Sequence, residues 1–127
     1  MTPEDFKVFV HSICDEVDYS KDKIILGGDH LGPLTWTHLD EEEAMKNAEK
    51  LVYQYVYAGY TKIHLDTSMK LSTDINENDF NDQVIANRSA RLAKASLQAY
   101  NDRLKVFPDS VFPVFIIGSE VPIPGGS

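Results

Sequence analysis

The stretch IILGGDHLGP, Ile24 to Pro33, decides how this 127-residue chain is read. Three aliphatic residues run into two glycines, an acid, a histidine, a third glycine and a proline. A short continuous apolar run marks a strand buried on both faces. The expectation is therefore a strand at Ile24 to Leu26, ending in a Gly-rich loop that carries Asp29 and His30.

Upstream, TPED opens a helix: Thr2 can cap, Pro3 suits the first turn, and Glu4 and Asp5 suit the positive end of the dipole. Phe6, Phe9, Val10, Ile13 and Val17 follow at helical spacing as one apolar face, ending near Asp18. Downstream, Asp40 caps a second helix with Glu43 three residues on, and Gly59 stops it. Thr61 to Asp66, TKIHLD, reads as a second strand. A third helix spans about Asn81 to Asp102, with Ile85, Leu92, Ala95 and Ala99 inward. The third strand is VFPVFIIG, Val111 to Gly118, pairing from Val114 because Pro113 cannot donate to a ladder. Alternation of this kind predicts an α/β fold of parallel strands joined by right-handed crossover helices.

The three strands end alike. Asp29 and His30 follow the first, and His64 and Asp66 share one face of the second. Gly118, Ser119 and Glu120 end the third. In α/β barrels and open α/β sheets, that edge is where ligands bind. Two histidines and three carboxylates also suit zinc or another divalent ion. Each residue has a purely structural reading as well: Asp29 as a turn cap, His30 as a hydrogen-bonded loop residue, His64 as a satisfied core histidine. Asp66 would then be a cap for the TSM loop, and Glu120 a solvated acid.

Composition narrows the partners. Twenty acids against twelve Lys and Arg give a net charge of -8, which disfavours nucleic acid and anionic membrane. No apolar run approaches the roughly 20 residues of a membrane span, and MTPEDFKVFV is not a signal peptide. Cys14 is the one cysteine and reads as a buried structural thiol. The cytoplasm is the expected compartment. GxxxxGK[ST], GxGxxG and GxSxG are all missing from the sequence.

ILGGDHLGP with Trp36, then AGYTKIHLDTSM, then IGSEVPIPGG, in this order, resemble the accessory (non-catalytic) subunit of class II D-tagatose-1,6-bisphosphate aldolase. The resemblance spans the whole chain. It departs at Leu34, where a polar residue is usual, at Thr67, where Ala is usual, and over Met69 to Asp74. It implies a (β/α)8 barrel in which Asp29 resembles a catalytic acid/base and His30 a metal ligand. On that footing His30, His64 and Glu120 are candidate ligands for zinc or a similar ion. Asp66, Ser68, Gly125 and Gly126 are candidate contacts to a sugar phosphate. The implied partner is a separate catalytic aldolase subunit, whose activity and stability in galactitol or amino sugar catabolism this family supports. An older label of the family, tagatose-6-phosphate kinase, finds no nucleotide-phosphate motif here.

A barrel of this type needs about 250 residues. The chain is therefore expected to be a single segment, residues 1–127, internal to a barrel domain: a partial (β/α)8 barrel or truncated frame. The competing reading is a metal-dependent sugar-phosphate aldolase in its own right, with Asp29 as acid/base.

Overall fold

The computed structural model describes residues 1–118. Three helices, α1 (Pro3–Glu16), α2 (Glu41–Tyr57) and α3 (Asp82–Val106), alternate with three strands, β1 (Gly27–Leu31), β2 (Lys62–Leu65) and β3 (Val114–Ile117). The strands form one parallel sheet in the order β1-β2-β3.

The caps form as their residues dictate. At α1 the Thr2 hydroxyl accepts from the Asp5 amide at 3.1 Å, and the Asp5 carboxylate accepts from the Thr2 amide at 2.9 Å. Asp40 caps α2 by accepting from the Glu43 amide at 2.9 Å. Asn81 does the same for α3 at Val84. The last turn of α2 has no basic residue of its own. Its neighbours supply the cations: Lys7 donates to the Ala58 carbonyl at 2.8 Å and Arg103 to the Tyr57 carbonyl at 2.7 Å.

The core lies between the sheet and the pair α2 and α3. Ile63 and Leu65 are fully buried against Met45, Ala48, Val52, Val56, Leu92 and Ala99. The opposite face of the sheet is less covered among the described residues. There Lys62 pairs with Val114 and His64 with Ile116. Paired residues share a face, and Val114 and Ile116 are both exposed. Among the described residues, no helix is long and apolar enough to cross a membrane.

Two expectations need correction. The first strand is not Ile24–Leu26: the ladder starts at Gly27, paired with Lys62, and runs through Asp29 and His30 to Leu31. Ile25 is 77% exposed, so that run is not doubly buried. The glycines are the strand because their backbone packs closely: a Cβ at Gly28 would lie 2.6 Å from Leu31 Cδ1 and 3.0 Å from Tyr55. Second, α3 continues one turn past Asp102 to Val106, where Pro108 follows. The apolar pattern of α1 forms as expected, but Phe6, Phe9, Ile13 and Val17 are exposed among the described residues. The helix docks instead by Lys7, by the buried Cys14 and by the Tyr60 hydroxyl, which donates to the Pro3 carbonyl at 2.9 Å.

Between β2 and α3 the chain runs from Asp66 to Asn81, and a buried ion pair fastens it. Arg88 Nη1 and Nη2 each donate to one oxygen of Asp74 at 2.8 Å. The two side chains are 2% and 5% exposed. Asp74 Oδ2 also accepts from the Leu71 amide at 2.8 Å, and Arg88 Nη2 lies 3.4 Å from Glu41 at the start of α2.

Candidate functional site

The site is built by a bulge. Gly28 pairs with Ile63 and Leu31 with Leu65, so β1 spends two residues, Asp29 and His30, where β2 spends one, His64. Both therefore flank the same histidine. His30 takes up the extra length in the left-handed region, with φ +53°. For a residue with a Cβ this costs roughly 1–2 kcal/mol, and such strain concentrates at functional positions. A glycine would remove it. The chain instead holds a histidine there.

His64 lies on the face of β2 turned away from the helices, with its side chain 12% exposed. Its Nδ1 is 2.7 Å from Asp29 Oδ1, and its Nε2–H donates to the Gly118 carbonyl at 2.8 Å. One imidazole thus joins the ends of all three strands. Asp29 is 62% exposed. Its second oxygen, Oδ2, lies 3.7 Å from His30 Nε2, and the two imidazole rings stand 5.1 Å apart at 52°. On its other side His30 Nδ1 is 3.4 Å from Asp66 Oδ2. Asp66 is buried, and its Oδ1 accepts from the Ser68 amide at 3.0 Å and the Ser68 hydroxyl at 2.6 Å.

Protonation follows from these contacts. The bond to Asp29, and then the Gly118 carbonyl, raises the His64 pKa above the ordinary imidazole value. The same bond holds the Asp29 carboxyl below the usual range. Burial alone would raise Asp66. The two Ser68 hydrogen bonds, with His30 behind them, more than offset it and hold that carboxyl low. Acceptors at both ring nitrogens favour the doubly protonated form of His64.

A ligand oxygen from Asp29 and one nitrogen from each of His30 and His64 lie within 4.8 Å of one another. The donor chemistry fits a divalent ion. A metal-ligating histidine normally donates its other ring N–H to a carbonyl or carboxylate. Gly118 O fills that place for His64 and Asp66 for His30. That leaves His64 Nδ1 and His30 Nε2 turned toward the two oxygens of Asp29. A metal there would replace the second proton of His64.

Asp29, His30 and His64 are thus brought together, with Asp66 and Ser68 directly behind His30. Glu120, Gly125 and Gly126 lie outside the described residues. Sequence reasoning missed the Gly118 carbonyl, which no side-chain pattern reveals. It also missed Gly32, whose Cβ would fall 1.8 Å from the Asp66 carbonyl oxygen. The GP of the opening stretch was its signal.

With this geometry in view, the comparisons are decisive for kinship. The family model described as D-tagatose-1,6-bisphosphate aldolase subunit GatZ/KbaZ-like matches residues 1–127. The chain belongs to this family. A crystal structure of a probable tagatose 6 phosphate kinase from Sinorhizobium meliloti 1021 is similar over 98% of the chain, at 44% identity and a TM-score of 0.80. The chain spans 30% of the length of that solved protein.

Proposed function

We propose that the chain forms part of the accessory, non-catalytic subunit of a class II D-tagatose-1,6-bisphosphate aldolase, supporting a separate catalytic subunit in the cytoplasm. The observation that carries this reading is the family match over residues 1–127. The segment would be an internal part of a (β/α)8 barrel. Its strand order is sequential, with both crossover helices on one face of the sheet. Consecutive barrel units have that arrangement. A doubly wound sheet reverses its strand order and carries helices on both faces.

The site residues support a metal-binding role under this reading. Asp29, His30 and His64 would hold zinc or a similar ion, with Glu120 a further candidate ligand. When bound, such an ion supplies Lewis-acid polarisation of a substrate oxygen. Asp29 would hold or move a proton beside it. Asp66, Ser68, Gly125 and Gly126 remain candidate contacts to a sugar phosphate.

The triad itself favours a second reading, an aldolase that acts without a partner. Against it stands the exposure of Asp29, since such chemistry gains from excluding water. Lys62 opens β2, at the end of that strand away from Asp66. It is poorly placed to grip a phosphate there.

The test mixes the purified chain with a catalytic aldolase subunit and follows turnover and its lifetime on tagatose 1,6-bisphosphate. The expected result is no turnover by the chain alone and a longer-lived or higher activity in the mixture. Zinc-dependent turnover by the chain alone, lost in Asp29→Ala, would establish the second reading instead.

A further inference from the structure

Away from the strand ends, α2 and α3 leave a groove of about 640 Å³ between their outer faces. Lys46 and Lys50 stand one turn apart on α2, and Arg91 and Lys94 line the other wall on α3. Four of the twelve Lys and Arg are thus gathered in one groove of a chain whose net charge is -8. Met45, Ala48 and Leu92, which the same helices turn to the sheet, take no part in it.

The acids on this surface are already engaged. Arg91 donates through Nε to Glu49, and through Nη1 and Nη2 to the two oxygens of Glu42 at 3.2 Å each. Lys46 shares Glu42 at 3.7 Å. Asp102 accepts from the Tyr53 hydroxyl at 2.6 Å and from Gln98 at 3.0 Å. Lys50 and Lys94 are exposed and have no carboxylate partner among the described residues. The groove therefore keeps a surplus of positive charge.

We infer that this groove docks an acidic segment of the catalytic aldolase subunit, with Lys50 and Lys94 meeting its carboxylates beside Arg91 and Tyr53. The inference rests on the accessory-subunit reading for the identity of the partner. Arg and Tyr are enriched at interface centres, and both are held in place here before a partner arrives. Two glutamates fix Arg91, while Asp102 and a stacked contact with Tyr57, 5.9 Å between ring centroids, fix Tyr53. Placement selects a partner from outside the fold. Helices form the outer ring of a (β/α)8 barrel, so closing a barrel would use the free edges of β1 and β3 and leave this groove open. A second copy does not fit. A twofold contact through the groove would set the same lysines against each other and bring together two chains of charge -8. A small phosphate is also poorly matched. Phosphates are held by converging donors such as the amides at a helix N-terminus, whereas these cations stand on separate turns of two helices.

The experiment measures binding of the full chain to a purified catalytic aldolase subunit by calorimetry, at about 0.05 and 0.5 M salt. Lys50→Glu/Lys94→Glu reverses the two unpaired cations. Lys21→Glu/Lys23→Glu makes the same change of charge in the exposed turn between α1 and β1 and is the control. The expected result at low salt is affinity lowered at least about tenfold by the groove variant and less than about threefold by the control, with the gap narrowing at high salt. Lys50→Gln/Lys94→Gln should lose less than the reversal, and it carries the test if the reversed variant does not fold. Equal losses in groove and control variants, or wild-type affinity in both groove variants, overturn the inference and leave the accessory reading standing. A wild type that does not bind the catalytic subunit removes that reading and the inference with it. Displacement of the subunit by inorganic phosphate at matched ionic strength would mark a small-anion site and overturn the inference alone.

Discussion

Gly32→Ala is expected to destabilise the chain by about 3 kcal/mol or more, the upper range for a substitution that overpacks a rigid site. The added Cβ would lie 1.8 Å from the Asp66 carbonyl oxygen and 2.9 Å from its carbon. Both are backbone atoms, tied to β1 through the Asp66 amide and the Leu31 carbonyl. Neither can move without parting the ends of β1 and β2. Gly27→Ala is the control: its Cβ would meet the flexible stem of Lys62 at 3.2 Å, which can give way. Urea denaturation followed by circular dichroism should show a large fall in midpoint for Gly32→Ala and a small one for Gly27→Ala. Equal midpoints would mean that the two strand ends are not in contact as described.

The second large effect lies in the Arg88–Asp74 pair. Removing one member leaves a buried charge without its partner, a loss of roughly 3–5 kcal/mol. Asp74→Ala and Arg88→Met should each approach that loss. The double variant Arg88→Met/Asp74→Leu should recover most of it, because replacing both charges removes the desolvation cost along with the attraction. The pair also shapes the acid limb of stability. Hydrogen bonds from Arg88 hold the Asp74 carboxyl below its ordinary value of 3.8. A depressed folded pKa contributes stability that is complete above the unfolded value and is lost as pH falls through the folded one. The wild type should therefore weaken below about pH 4, and the double variant should lose that part of the slope. Additive single and double losses would contradict the account.

The order of elements was legible because it depends on local signals. Thr2, Asp40 and Asn81 cap their helices as their side-chain chemistry requires, and Leu92 and Ala99 of the apolar period of α3 lie on its buried face. The start of β1 was not. Apolar content favoured Ile24–Leu26, whereas the strand is set by pairing of Gly27 and Gly28 with Lys62 and Ile63. Pairing between distant segments leaves no mark on local composition. The same limit hid the bulge, although the bulge is what makes Asp29 and His30 converge on His64. Their types and their place at the strand ends could be read directly. The hydrogen bonds of Asp66 and Ser68 could not, since these depend on which oxygen faces which donor. Arg88 had a readable signal: it stands three residues after Ile85 and four before Leu92, on the inner face of α3. A charge at such a position calls for a buried partner, and Asp74 is that partner. The apolar face of α1 was read correctly as a pattern, yet it lies uncovered among the described residues.

We propose that Asp29, His30 and His64 form one metal centre. Equilibrium dialysis against zinc, followed by elemental analysis, tests it on the wild type, His30→Ala and His64→Ala. The account predicts one zinc per wild-type chain, and binding at least about tenfold weaker when either histidine is lost. A wild type without zinc, or histidine variants that keep their zinc at unchanged affinity, would contradict it.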